Sequence, residues 1–250
     1  MSASESASDV VRLAAIADLH FGRHPAGALQ PLFAEIAKSA DVLLICGDLT
    51  DHGHPDEARG LVRELVQHVK MPIVAVLGNH DYESHQEVEL HAILRESGVT
   101  VLDGDACEVR GVGIAGTKGF CGGFGARTLG AWGEPIIKQF VQEALGEALK
   151  LEGALARLAS PDRIALLHYA PVASTVEGEP LEIYPFLGSS RLEEPLVRFS
   201  VSAVFHGHAH HGQPEGRTSA GAPVFNVSLP LLQRVRPERP FHVLALRPGR

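Results

Sequence analysis

The chain has 250 residues, 22 of them basic and 30 acidic, for a formal net charge of −8. That length can bury a substantial core, and the acidic balance excludes tight nonspecific gripping of nucleic acid, which depends on many Lys and Arg contacts to phosphate. Cys46, Cys107 and Cys121 are odd in number and have no paired spacing, so they give neither a disulfide framework nor a thiolate metal site.

Residues 1–9 are small, polar and slightly acidic, without the basic start and apolar stretch of a secretory signal, and read as a disordered tail before a single domain over 10–250. No stretch reaches the length of a membrane span, so the expectation is a cytoplasmic protein with no membrane partner. On that reading the sequon Asn226-Val227-Ser228 is a coincidence of strand sequence.

Val10 to Ala17 is apolar apart from Arg12 and predicts a strand ending in Asp18-Leu19-His20. Alternation along an extended chain sends Asp18 and His20 to the same side, where they can share one ion. A short helix over Leu29 to Lys38 leads to the buried strand Val42-Leu43-Leu44-Ile45-Cys46, which stops at Gly47-Asp48. Pro55 opens a helix with Ala58, Leu61, Val62, Leu65, Val66 and Val69 at helical spacing. Ile73 to Leu77 is a third strand, and it ends in Gly78-Asn79-His80-Asp81. A helix over His85 to Ser97 follows, with Gly98 as its cap.

Three short β-like segments, Val99–Leu102, Ala106–Val109 and Val112–Ala115, indicate a change from parallel to hairpin connections. The glycines of 111–116 match a dinucleotide-binding pattern, and Thr117-Lys118 is a scrambled phosphate loop. Both are rejected, because no helix starts at the third glycine and Lys does not precede Ser or Thr. Gly116 to Gly133, with Phe120, Phe124, Arg127 and Trp132, reads equally as a pocket-shaping loop or a plain surface loop. Glu134-Pro135 begins the longest helix, running to about Ala159 with an apolar stripe that is core. Arg163 to Leu167 is a strand ending in His168, and Ser202 to Phe205 one ending in His206-Gly207-His208. The connector Pro171–Pro195 holds a short helix near Arg191, and strands over Pro223–Val227 and Phe241–Leu246, separated by a turn at 234–239, finish the chain.

Five strands therefore end in Asp18/His20, Asp48, Asn79/His80, His168 and His206/His208. Oxygen and imidazole donors gathered at strand ends, with no thiolate, suit Mn²⁺, Fe²⁺, Zn²⁺ or Co²⁺, and they are too many for one tetrahedral ion. His52, His54, His210 and His211 match no ligand position in this reading and are placed at the surface or behind the ligands. Arg23 and His24 are placed in a solvated loop.

The ordered series Asp-x-His, Gly-Asp, Gly-Asn-His-Asp, His and Gly-His-x-His, spanning Asp18 to His208, resembles the calcineurin-like metallophosphoesterase superfamily, and within it the cyclic-nucleotide phosphodiesterase-like branch. The resemblance implies an α/β fold, a four-layer α-β-β-α sandwich of mixed sheets with a binuclear centre at one edge. It implies two divalent ions (Mn, Fe, Zn or Co): one held by Asp18, His20, Asp48 and His208, the other by Asp48, Asn79, His168 and His206. The activity implied is hydrolysis of phosphate esters, foremost phosphodiesters, by water activated at the metals. His80 would act as general acid, and Asp81 would orient it or stabilise its protonated form. The expected partner is a small phosphate ester, nucleotides included, with no stable nucleic-acid partner. Phosphomonoester hydrolysis and nucleotide pyrophosphate cleavage use similar ligands, and a catalytically silent scaffold is the alternative of another class.

Overall fold

In the computed structural model, which describes residues 10–249, the first part of the chain alternates strand and helix. β1 (Val11–Ile16), α1 (Gln30–Ser39), β2 (Val42–Cys46), α2 (Pro55–His68), β3 (Ile73–Val76), α3 (Glu87–Glu96) and β4 (Val99–Val101) follow in order, and each strand pairs in parallel with the next. The tail expected over residues 1–9 lies outside the described residues. α2 starts where Pro55 presets a helical φ and Glu57 reaches back to accept the His54 backbone N–H at 3.1 Å.

The second part begins with the hairpin β5 (Asp105–Val109) and β6 (Val112–Gly116), then α4 (Pro135–Ala156) and β7 (Arg163–Leu166). It continues through α5 (Tyr184–Leu187), α6 (Glu193–Arg198), β8 (Ala203–His206), β9 (Glu215–Arg217), β10 (Pro223–Asn226), α7 (Leu229–Val235) and β11 (His242–Leu246). One sheet has the order β11-β1-β2-β3-β4, with β11 antiparallel to β1; the other runs β5-β6-β7-β8-β10-β9. The change to hairpin connections expected after β4 is therefore present.

Period-2 alternation decides the layers. On β1, Leu13 and Ala15 face the other sheet and pack with Ile114, Ile164 and Phe205, while Ala14 and Ile16 face helices and pack with Phe33, Ile36, Leu61 and Leu65. The far side of the second sheet, Ala165 and Val204, is covered by Leu151, Ala154 and Leu155 of α4. The result is the four-layer α-β-β-α arrangement that the family resemblance implied. Phe205 is fully buried between the sheets, and truncating such a ring to Ala costs about 3–5 kcal/mol.

Three elements depart from the sequence reading, one of them the four-residue α5 inside the connector. Residues 229–235 form a helix where only a later turn was expected: Pro230 sits in its first turn, and Leu229, Leu231 and Leu232 are buried. Seven residues span too few turns to show a helical period. β9 is a three-residue edge strand on β10, and its Glu-Gly-Arg sequence carries no strand signature. Among the described residues, no helix is long and apolar enough to cross a membrane.

Candidate metal centre

The carboxyl ends of β1, β2, β3, β7 and β8 meet at one place because the backbone bends sharply there. Asp18, His20, Asp48 and His208 all adopt left-handed conformations, with φ of 59°, 42°, 50° and 71°. A residue with a Cβ pays about 1–2 kcal/mol for that conformation, and such strain persists only where the surroundings enforce it. Here the loops lock each other: Asp18 N–H donates to Gly47 C=O and His20 N–H to Asp48 C=O, both at 3.0 Å. Two glycines let backbone press directly on the acids. A Cβ on Gly78 would collide with the Asp48 carboxylate, and one on Gly207 with that of Asp18.

Asp48, almost fully buried, lies between two groups of donors. Its Oδ1 accepts the His80 backbone N–H at 2.9 Å and lies 3.4 Å from His168 Nε2, while Oδ2 lies 3.8 Å from His20 Nε2. Ligand atoms of Asp48, His168 and His208 fall within 4.8 Å of one another, as do those of Asp18, His20 and His210, and those of His20, Asp48 and His80. Asn79 Oδ1 lies 2.8 Å from His168 Nε2.

Several features of these residues fit cations. A neutral His168 has one N–H, yet its Nδ1 faces Cys46 C=O at 3.0 Å and its Nε2 faces the oxygens of Asn79 and Asp48. Burial, then the neighbouring His208, holds its pKa well below the usual imidazole range, so a second proton does not resolve the conflict. With Nδ1–H on Cys46, a lone pair is left aimed among oxygen donors, as in a metal ligand whose other nitrogen is fixed by a carbonyl. His208 is arranged alike, its Nε2 held 3.2 Å from Phe186 C=O, which leaves Nδ1 free. Both His20 nitrogens are buried with no hydrogen-bond partner, and burial lowers that imidazole to a pKa of about 4. Burial and the charges of Asp18 and Asp81 push Asp48 well above the carboxylate range, so this acid lacks positive charge to stabilise it. For Asp18 burial acts upward, but His210 and the surrounding imidazoles outweigh it and the carboxyl ends below its ordinary value.

The structure brings together Asp18, His20, Asp48, Asn79, His80, His168 and His208. His206 is elsewhere: fully buried, it places Nδ1 2.8 Å from Gly207 C=O and Nε2 2.8 Å from the Thr175 hydroxyl. The histidine at Asp18 is His210, whose Nε2 is 3.0 Å from Asp18 Oδ1. Read from its own glycine, the last motif is Gly207-His208-Ala209-His210, so the available signal was the register of Gly-His-x-His. His52, His54 and His211 are exposed, as expected of residues matching no ligand position.

Asp81 also sits away from its expected task. Its fully buried carboxylate accepts Gly78 N–H at 2.8 Å, Leu49 N–H at 3.2 Å, and Thr50 N–H and O–H at 2.8 and 2.6 Å, which tie the β2 and β3 loops together. The His80 ring is instead held by Asp51, whose backbone carbonyl lies 2.6 Å from Nδ1, and Glu83 is 3.5 Å from the same nitrogen. Neither contact follows from sequence, because the short helical turn His80–Tyr82 decides which side each residue faces.

Solved structures share this fold at low identity. One matches over 88% of this chain and 91% of its own, with 15% identity and a TM-score of 0.59. The protein TT1561 of Thermus thermophilus matches over 95% of this chain and 99% of its own, with 14% identity and a TM-score of 0.57. A proposed 5'-nucleotidase from Staphylococcus aureus, solved with α-ketoglutarate, matches over 87% of this chain but 48% of its own, with 16% identity and a TM-score of 0.54. No curated protein matches the chain. The sequence profile of the calcineurin-like phosphoesterases matches residues 11–212, the stretch holding every residue of the centre, and the chain belongs to that family.

Proposed function

We propose that the chain hydrolyses phosphate esters, foremost phosphodiesters, at a two-metal centre. Asp18, His20, Asp48 and His210 would hold one ion; Asp48, Asn79, His168 and His208 would hold the other. The observation that carries this reading is Asp48, whose two oxygens face different donor groups, Oδ1 toward His168 and Oδ2 toward His20. Divalent ions in such a site, when bound, polarise a phosphoryl oxygen and bring the pKa of water down toward neutrality.

The remaining work falls to side chains. With Nδ1–H donated to Asp51 C=O, His80 keeps Nε2 clear for a second proton, and the doubly protonated ring delivers that proton to the departing ester oxygen. Glu83 beside Nδ1 supports the protonated ring. Arg23 stands at the rim, half exposed, with Nη2 2.7 Å from Asp51 Oδ1, and offers positive charge to an approaching phosphate. Phosphomonoester hydrolysis is the second reading, supported by the proposed 5'-nucleotidase among the fold neighbours.

The test is an assay of metal-stripped protein reconstituted with Mn²⁺, Fe²⁺, Zn²⁺ or Co²⁺, on bis-p-nitrophenyl phosphate, p-nitrophenyl phosphate and cyclic nucleotides. Metal-dependent turnover with the diesters preferred is expected. Preference for p-nitrophenyl phosphate would favour the second reading, and silence with every metal would leave a scaffold.

A further inference from the structure

Lys118, at the end of the glycine-bearing strand β6, has no role in the chemistry above. Its backbone carbonyl accepts the N–H groups of His168 and Tyr169 at 2.9 and 3.1 Å, so its position is tied to a residue of the metal centre. Its ammonium is partly buried and lies 5.4, 4.9 and 5.4 Å from the ring centroids of Tyr82, Phe120 and Tyr169. Two of those rings adjoin the centre. Tyr169 packs on His168 and His208 at centroid distances of 5.4 and 4.6 Å, and Tyr82 lies in the same short turn as His80.

The ammonium of Lys118 is in no close ion pair, with Glu147 and Glu143 acting on it from farther away. Nζ donates to Gly119 C=O at 3.0 Å, and no carboxylate among the described residues lies within 4.0 Å of it. The nearby buried Glu147 is committed elsewhere, accepting from Thr117 O–H at 2.6 Å and Gly119 N–H at 2.8 Å, and pairing with Lys150 at 2.7 Å. Aromatic faces offset part of the cost of withdrawing an ammonium from water, but they satisfy none of its N–H groups. An ammonium with spare donors beside a catalytic centre suits an anionic oxygen.

We propose that Lys118, flanked by Tyr82 and Tyr169, forms a subsite for a second anionic group on the ester, outside the phosphoryl group that reacts at the metals. This inference rests on the phosphoesterase reading and adds a substrate class to it: esters whose organic part carries its own carboxylate or phosphate.

The test compares phenyl phosphate with 3- and 4-carboxyphenyl phosphate, which differ by one carboxylate, in the metal-loaded wild type, Lys118→Met and Lys118→Arg. The wild type should favour a carboxylated ester. Lys118→Met should cut that preference at least tenfold, through KM rather than kcat, and Lys118→Arg should retain most of it. A folded, active Lys118→Met with the wild-type ratio of kcat/KM would overturn the subsite. A measurement free of variants is competition by the inert analogues phenylphosphonate and 3- and 4-carboxyphenylphosphonate on the wild type. A carboxylated analogue should bind at least tenfold tighter, and equal inhibition by all three would overturn the proposal. If the wild type hydrolyses none of these monoesters but turns over bis-p-nitrophenyl phosphate, competition by the inert analogues alone decides the subsite; silence on both ester types would remove the phosphoesterase reading, and the subsite with it.

Discussion

His210 Nε2 lies 3.0 Å from Asp18 Oδ1, joining two residues 192 positions apart. His206, on the same side of an extended chain but still within β8, turns both nitrogens to protein groups. His210→Ala should therefore lower the bound metal from two ions toward one and cut turnover by more than about 100-fold, the upper range for merely supporting residues. His206→Gln should keep both ions and cost about 1–3 kcal/mol of stability through its lost contacts. Elemental analysis with urea unfolding of the two variants separates ligand from structural histidine.

His80→Ala should keep both metals and lose roughly 10²–10⁴-fold in kcat on alkyl phosphates, whose leaving oxygen needs a proton. The loss should shrink on p-nitrophenyl esters, because nitrophenolate leaves without one. Equal loss on both ester types would remove the general-acid assignment.

Asp81 holds loops, so Asp81→Ala should cost about 2–4 kcal/mol in urea unfolding of the metal-free protein by stripping the acceptor from four buried donors. If the variant kept wild-type stability and instead altered the pH dependence of kcat, Asp81 would be acting on His80 after all.

Much of this was legible in the residues. β2 is a charge-free apolar run, and its termination at Gly47-Asp48 marks a buried strand with chemistry at its end. The same grammar recurs at Asp18, Asn79 and His168, so the sheets, the helices between them and most of the centre follow from local pattern. The partner of Asp18 did not. His206, His208 and His210 are spaced by two, and extended backbone sends all three to one side; the left-handed bend at His208 makes them inequivalent. Asp81 failed for a related reason. Adjacency to His80 suggests contact, but a tight helical turn rotates neighbours apart and delivers Asp81 to the β2 loop. α7 was missed because about two turns of apolar residues carry no readable period.

His242 supplies a pH dependence remote from the centre. Its ring packs 4.0 Å from that of Phe225, and burial, then Arg236, lowers its pKa to about 4. The unfolded chain, with an ordinary value of about 6.5, binds the proton first as pH falls. The contribution is thus fully present above about pH 6.5 and is lost between there and pH 4. His242→Phe should lose less stability over that interval, by about 1–2 kcal/mol at pH 4.5 after allowance for partial exposure. Parallel urea curves for variant and wild type across the interval would refute the assignment.

The central claim is that Asp48 bridges two ions, and metal stoichiometry after stripping and reconstitution tests it most directly. Two Mn²⁺ or Zn²⁺ per wild-type chain, and loss of tight binding of both in folded Asp48→Asn, is the predicted result. A single ion in the wild type, or an Asp48→Asn protein that still holds two, would contradict it.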